Sequence, residues 1–290
     1  MIDVTHFTDP GCPWAYSASP AITTLRWRFG EGLRWTLVTI GLAEDAEVYV
    51  QRGYTPLRTA LGYAKFRCLG MPFQVTPKAR LSSTSPACRA IVATRLAAPE
   101  FEDAAFRALQ FAQFTTAGVF DDPDTLRTAL RGVPGLDADA VVDAIDSAAV
   151  RAVYEADRAR ARTAAGSPAE AQDRAANTDG AVRYTAPSLI FEADDGRRLE
   201  AGGFQPLEAY DVLLANLDPT LKRRPPAQDP LEVLAAFPYP LATAEVTAVM
   251  TEHLTPTDAD ATEAALLAAT AEGRAVHRPL GDGALWSLAA

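Results

Sequence analysis

A β–α–β opening with Cys-Pro at the head of its helix, a long helical block, and a β–β–α close entered through "TAPS" predict an α/β protein of thioredoxin-like fold, split by a helical insertion. Three helices and a terminal hairpin follow a proline-rich stretch, in the order of a winged helix. The expected boundaries are 1–220 for the first domain, with its insertion at about 83–165, and 228–290 for a small winged-helix-like C-terminal module.

The first strand is "DVTHF", which runs into the turn "TDPG". After Cys12 and Pro13, Trp14, Tyr16, Ile22, Leu25 and Phe29 recur at helical spacing, with Pro20 expected to kink or interrupt the helix. "LRWTLVTIGL" alternates and reads as the second strand. Residues 44–80 carry scattered Tyr, Gly and Pro, and "GMPFQVTPKAR" reads as loop. From Ser83 to about Arg162 the periods are helical, with starts at Ser85-Pro86 and Asp122-Pro123, and "DADAVVDAIDSAAVRAVYEADRARARTAAG" fits a helix throughout. "APSLIFEADDGRRLEAGG" is a hairpin around Asp-Asp-Gly, and "QPLEAYDVLLANL" is a helix. "LKRRPPAQDP" (221–230) reads as a linker. Beyond it come helices at "LEVLAAF", "TAEVTAVM" and "DADATEAALLAATAEG", then strands "RAVHRPL" and "ALWSL" about the turn "GDG".

Composition narrows the function. The 290 residues are 48% hydrophobic with a formal charge of -10, so a globular protein is expected, and a general binder of nucleic acid or anionic membrane is not. No run of about 18 apolar residues is present. The N-terminal residues lack the pattern of a secretory signal, so the expected location is the cytoplasm, where thiols stay reduced. Arginine outnumbers lysine 24 to three, and alanine is abundant, as in proteins of high-GC bacteria. Cys12, Cys68 and Cys88 form neither a disulfide framework nor a metal-ligand pattern. No metal is expected. In residues 228–290, nine acidic residues face two basic ones, Arg274 and Arg278. Counterion release needs several cations against phosphate, so this module is expected to pack on the main domain or on a second subunit of a homodimer, without DNA.

The chemistry centres on "DPGCPWAY", residues 9–16. A cysteine at a helix start is favoured as thiolate by unpaired N–H groups and the helix dipole, so Cys12 is expected to have a lowered pKa and to be the nucleophile. Pro13 suits the first helical turn. A cis Pro187 in "TAPS" would leave the backbone of Ala186 free for an extended thiol ligand. A dithiol motif would carry a second cysteine where Ala15 stands.

The stretches "FTDPGCPWAY", "SSTSPACRAIVATRLAA", "FRALQFAQFTT", "TAPSLIF" and "GGFQPLEAYDVL", in that order, resemble the DsbA-type branch of the thioredoxin superfamily. That branch holds FrnE-like disulfide isomerases, and its relatives are kappa-class glutathione transferases and 2-hydroxychromene-2-carboxylate isomerases. The resemblance covers about residues 1–217. It implies a helical insertion, a nucleophilic Cys12 and Pro187 as the cis-proline beside it. FrnE-like proteins carry a second Cys at the position of Ala15, and their insertion helix opens Asn-Thr-x-x-Ala-His where this chain has Ser83-Thr84-Ser85-Pro86-Ala87-Cys88.

With one thiol, a separate thiol must resolve any mixed disulfide. The expected activity is a monothiol oxidoreductase using a low-molecular-weight thiol, glutathione or mycothiol, as cosubstrate, with no cofactor tightly bound. Its other substrate is a disulfide or an unassigned small molecule. Cys12 and Pro187 are the catalytic candidates; Pro13, Trp14 and Ala186 are the candidates for holding the thiol. Two alternatives stand beside it. One is a thiol-cofactor transferase or isomerase of the kappa-class type. The other is a non-catalytic scaffold whose C-terminal module binds a partner. Elsewhere the plain expectation is structural: Cys68 and Cys88 as small buried residues, His6 in the core, His253 and His277 on the surface, and "YEADRARAR" as a solvated face.

Overall fold

Strand β1 (Ile2–Thr8) is the spine of the main sheet because its apolar residues face both layers, with Ile2, Val4 and Phe7 buried. The computed structural model describes residues 1–289. After β1 come α1 (Pro13–Ser17), α2 (Ser19–Phe29) and β2 (Leu33–Thr39). The interruption expected from Pro20 falls at Ala18, and Pro20 sits in the first turn of α2, where a missing N–H costs nothing. Strand β2 pairs parallel with β1, Ile2 opposite Leu33 and Thr8 opposite Thr39.

The segment that gave no pattern in sequence contains α3 (Glu47–Gln51) and α4 (Pro56–Phe66). Thr55 caps α4 by accepting the Arg58 N–H at 3.1 Å, and Pro56 follows at the first helical position. Residues 71–82 are irregular, as expected.

The helical insertion comprises α5 (Ser85–Ala97), α6 (Glu102–Thr115), α7 (Pro123–Leu130), α8 (Ala138–Ala144) and α9 (Ala148–Ala161). One core of Ala, Leu, Ile, Val and Phe side chains joins all five. The stretch expected as one helix is two: Ser147 ends the first and caps α9 through the Val150 N–H. The charge run on α9 is not a solvated face throughout. Asp157 is buried, accepts the Thr39 N–H and hydroxyl, and pairs with Arg95 at 3.1 Å. It therefore ties the insertion to the end of β2.

The chain returns through α10 (Pro168–Ala171) and the short pair β3 (Ala175–Ala176) and β4 (Arg183–Tyr184) to β5 (Ser188–Ala193), β6 (Arg198–Ala201) and α11 (Leu207–Leu217). Strand β5 is antiparallel to β1 and to β6, giving the sheet order β2-β1-β5-β6.

The C-terminal elements are α12 (Pro230–Ala235), β7 (Leu241–Ala242), α13 (Thr243–Met250), α14 (Ala259–Ala271), β8 (Ala275–Leu280) and β9 (Gly283–Leu288), with sheet order β7-β9-β8. They do not hang from a free linker. The stretch 221–230 is docked: Trp27 of α2 donates to the Pro225 carbonyl, Arg224 lies 3.3 Å over the Trp27 ring, and Ala227 is buried. Trp27 belongs to the same apolar cluster as Val233, Val246, Leu266 and Trp286. Arg107 of α6 pairs with both oxygens of the fully buried Glu245 at 2.6 and 2.7 Å. No described helix is long and apolar enough to cross a membrane.

Candidate active site around Cys12

Cys12 is the N-cap residue of α1, and its position is set by Asp9 at the end of β1. Asp9 is wholly buried and takes four donors: the Gly11 and Leu42 N–H groups at 2.8 Å, the Thr84 hydroxyl at 2.9 Å and the Cys88 thiol at 3.4 Å. One carboxyl thus fastens the cysteine loop to the loop after β2 and to the start of α5. The Cys12 N–H closes the turn on the Asp9 carbonyl at 3.1 Å. Gly11 is demanded by the same packing, since a Cβ there would stand 2.5 Å from the Thr84 methyl.

The Cys12 sulfur donates to the Ala186 carbonyl at 3.1 Å. The Ala186–Pro187 bond is cis. The Ser188 hydroxyl pins this segment by donating to the Thr185 carbonyl at 2.7 Å and accepting from the Gly203 N–H at 3.1 Å. Of the residues singled out in sequence, Cys12, Ala186 and Pro187 are buried together. Pro13 is the first residue of α1. Trp14 is 48% exposed and lies against Phe66 and Phe204, with ring centroids at 4.7 and 5.3 Å. Ala15, at the place of a second thiol, is 2% exposed.

The thiol departs from expectation. Burial pushes Cys12 up to about 12; the Ala15 N–H pulls it down, the Asp9 carboxylate raises it further, and the Trp14 N–H and Arg183 guanidinium pull it down. Desolvation wins because Cys12 is only 6% exposed and its helix is five residues long. Cys88 is buried, and its thiol is also raised by burial. Cys68 is exposed, contrary to its expected burial. His6 is core, and burial lowers it to about 3.

Sequence reasoning missed Asp9, Thr84 and Arg183. Asp9 and Thr84 stood inside quoted stretches, but their meeting is tertiary. Arg183, buried in "VRYTAPS", could have been noticed as a lone cation in an apolar setting. Also missed was a cavity of about 860 Å³ that opens beside the cysteine, against Gly11, Pro13 and Trp14, with α4 and residues 76–82 as its walls. Its size is that of a small-molecule site. Among the described residues, no cluster of His, Cys, Asp or Glu has the arrangement of a metal site.

No family model matches the sequence, and no curated protein matches it. Solved structures do. A candidate protein disulfide isomerase from Nitrosomonas europaea superposes with a TM-score of 0.56 at 19% identity, over 74% of this chain and 96% of its own. A protein of Streptomyces coelicolor described as a probable DsbA oxidoreductase gives 0.56 at 19% identity, over 79% and 93%. The cytosolic disulfide reductase DsbM from Pseudomonas aeruginosa, solved with GSH, gives 0.52 at 16% identity, over 74% and 98%. The chain therefore has the thioredoxin-like fold with a helical insertion that these DsbA-type proteins share.

Proposed function

We propose that this protein is a thiol–disulfide oxidoreductase that works through Cys12 alone and uses a low-molecular-weight thiol to complete its cycle. The observation that carries this reading is the Cys12 sulfur lying 3.1 Å from the Ala186 carbonyl, beside the cis-proline, while buried Ala15 occupies the place of a resolving thiol. The Cys12 thiolate attacks one sulfur of a bound disulfide R–S–S–R′. The S–S bond breaks, Cys12–S–S–R forms, and R′–S⁻ leaves as thiolate. A small thiolate then attacks the R sulfur, forming R–S–S–thiol and returning Cys12 as thiolate. The Ala15 and Trp14 N–H groups and the Arg183 guanidinium favour the charged sulfur in both steps. Ala186, Pro13 and Trp14 are assigned to hold the small thiol, and the solved complex of DsbM with GSH supports glutathione as the first thiol to try.

The test is intact mass after incubation with oxidised glutathione, in a Cys68→Ser background that removes the exposed thiol. One adduct on Cys12, removed by glutathione and lost in Cys12→Ser, is the expected result. A protein that takes no adduct at Cys12 would end the proposal.

A second reading draws on one observation: burial keeps Cys12 a protonated donor. A thiol of that kind can hydrogen-bond a bound small thiolate in place of reacting, as a transferase or isomerase site would require. Turnover of disulfides separates the two. The C-terminal order α-β-α-α-β-β with sheet order β7-β9-β8 supports reading residues 228–290 as a winged helix. Its nine acidic against two basic residues suit packing, not phosphate. A cytoplasmic setting suits the reduced thiols.

A further inference from the structure

The cavity beside Cys12 is lined by four basic side chains, Arg58, Lys65, Lys78 and Arg80, and by no Asp or Glu. The chain carries 37 acidic against 27 basic residues, so this wall is opposite in sign to the molecule. Two of the chain's three lysines stand in it. Arg80 is paired with Asp121 at 2.6 Å. Among the described residues, Arg58, Lys65 and Lys78 have no carboxylate oxygen within 4.0 Å.

Lys78 is the telling one. Its ammonium donates to the Gln113 side-chain carbonyl at 3.1 Å and to the Gly118 carbonyl at 2.5 Å, both neutral acceptors. Burial lowers it to about 8. A desolvated cation without a counter-charge costs free energy that a bound anion offsets. Arg58 lies 5.2 Å over the Tyr54 ring and donates to the Gly53 carbonyl at 3.0 Å, leaving part of its fork free. The rest of the lining is uncharged and mostly apolar or aromatic, with Trp14, Tyr54 and Phe66 as flat surfaces, Leu61 exposed at the rim, and Thr59, Thr76, Ser82, Thr84 and Gln113 as its polar members.

We infer that this cavity binds an organic anion with a flat apolar body, an aryl carboxylate or sulfonate, its acidic group among Lys78, Arg58 and Lys65 and its rings against Trp14, Tyr54 and Phe66. The inference deepens the proposed function and rests on it in one respect: it places the ligand against Gly11, Pro13 and Trp14, where Cys12 would meet it.

The full-length protein is titrated with 8-anilinonaphthalene-1-sulfonate and, separately, with N-phenyl-1-naphthylamine, the same ring system without the sulfonate. The expected result is one saturable sulfonate site, weakened about tenfold by Lys78→Gln, the loss of about 1.4 kcal/mol of binding, while the neutral probe is little affected. Bound sulfonate should also slow alkylation of Cys12 by iodoacetamide. Should Lys78→Gln not fold, Arg58→Gln on the exposed rim applies the same test. Equal binding of the two probes, sulfonate affinity indifferent to these substitutions, or binding that leaves Cys12 alkylation unchanged would each overturn the inference. Cys12→Ser is expected to keep sulfonate affinity, so a failure of the thiol chemistry and a failure of the anion site are told apart.

Discussion

The Cys12 thiol donates its proton to the Ala186 carbonyl 3.1 Å away, across 174 residues of sequence. The partner of the reactive sulfur is thus a backbone oxygen of the segment assigned to ligand binding. A ligand that pairs with the Ala186 backbone competes with the thiol for it.

Burial sets the alkylation profile of Cys12. With its pKa raised to about 12, the thiolate fraction falls tenfold for each pH unit below that value. Iodoacetamide labelling should therefore climb steadily from pH 7 to pH 10 without a plateau, whereas a free thiol levels off above about 8.5. Exposed Cys68 should label faster at pH 7. A Cys12 plateau below pH 9 would show that the sulfur is better solvated than its burial implies.

Ala15→Cys should restore a dithiol. Positions 12 and 15 are about one helical turn apart, and a cavity of about 30 Å³ beside Ala15 leaves room for the added sulfur. Thiol counts should drop by two on mild oxidation, and reduction of protein disulfides should no longer need added glutathione. A variant that keeps all its thiols under oxidant would contradict this.

His6 makes the fold acid-sensitive. Its folded pKa is about 3 against 6.5 for the free side chain, so the unfolded chain binds the proton first. The stability this supplies is complete above pH 6.5 and is lost as pH falls toward about 3, at up to about 1.4 kcal/mol per unit. Between pH 6.5 and 4.5, urea midpoints should fall further in the wild type than in His6→Leu. Parallel curves would show that His6 is already charged in the fold.

The Arg107–Glu245 pair should behave as a buried weld. Arg107→Met strands the Glu245 carboxylate, which Thr23 and the Ala242 N–H also use as acceptor. The expected loss is about 3–5 kcal/mol. Adding Glu245→Gln removes the stranded charge, keeps an acceptor, and should recover at least half. Chemical denaturation of the three variants decides it, and a single variant as stable as the wild type would mean that solvent reaches the pair.

How legible this molecule is depends on where each cause lies. Strand β2 announces itself by alternation, β1 by its β-forming residues and β5 by the apolar run Leu189-Ile190-Phe191, and the Asp-Asp-Gly and Gly-Asp-Gly turns mark the hairpins. The nearness of Ala186 to Cys12 followed from the fold reading of "TAPS". By contrast, α4 buries only Ala60 and Tyr63, leaves Leu57 and Leu61 at 59% and 56% exposure, and turns Leu61 to the cavity. Two buried positions on an eleven-residue helix, with exposed leucines beside them, blur the periodicity. Only Thr55-Pro56 marked its start. Asp157 looked like surface charge because its partners, Arg95 and Thr39, are 62 and 118 residues away. The thiol's pKa was misread for a related reason. Its helix position is local, but its burial comes from packing by residues such as Ala161, Ala164 and Ala186.

The β8–β9 turn touches the wall of the cavity. Asp282 accepts the Phe73 N–H at 2.7 Å and pairs with Arg67, next to Phe66 of that wall, while Gly281 is pressed against the Phe73 backbone. Phe73 and Asp282 are 209 residues apart. A ribosome adding about 5–20 residues per second needs roughly 10–40 s to cover that interval. Throughout it, Cys12 has been synthesised and the wall beside it lacks its brace. The β8–β9 hairpin is thus a timing device as well as a support: a nascent chain carries the thiol before this brace of its pocket has been made.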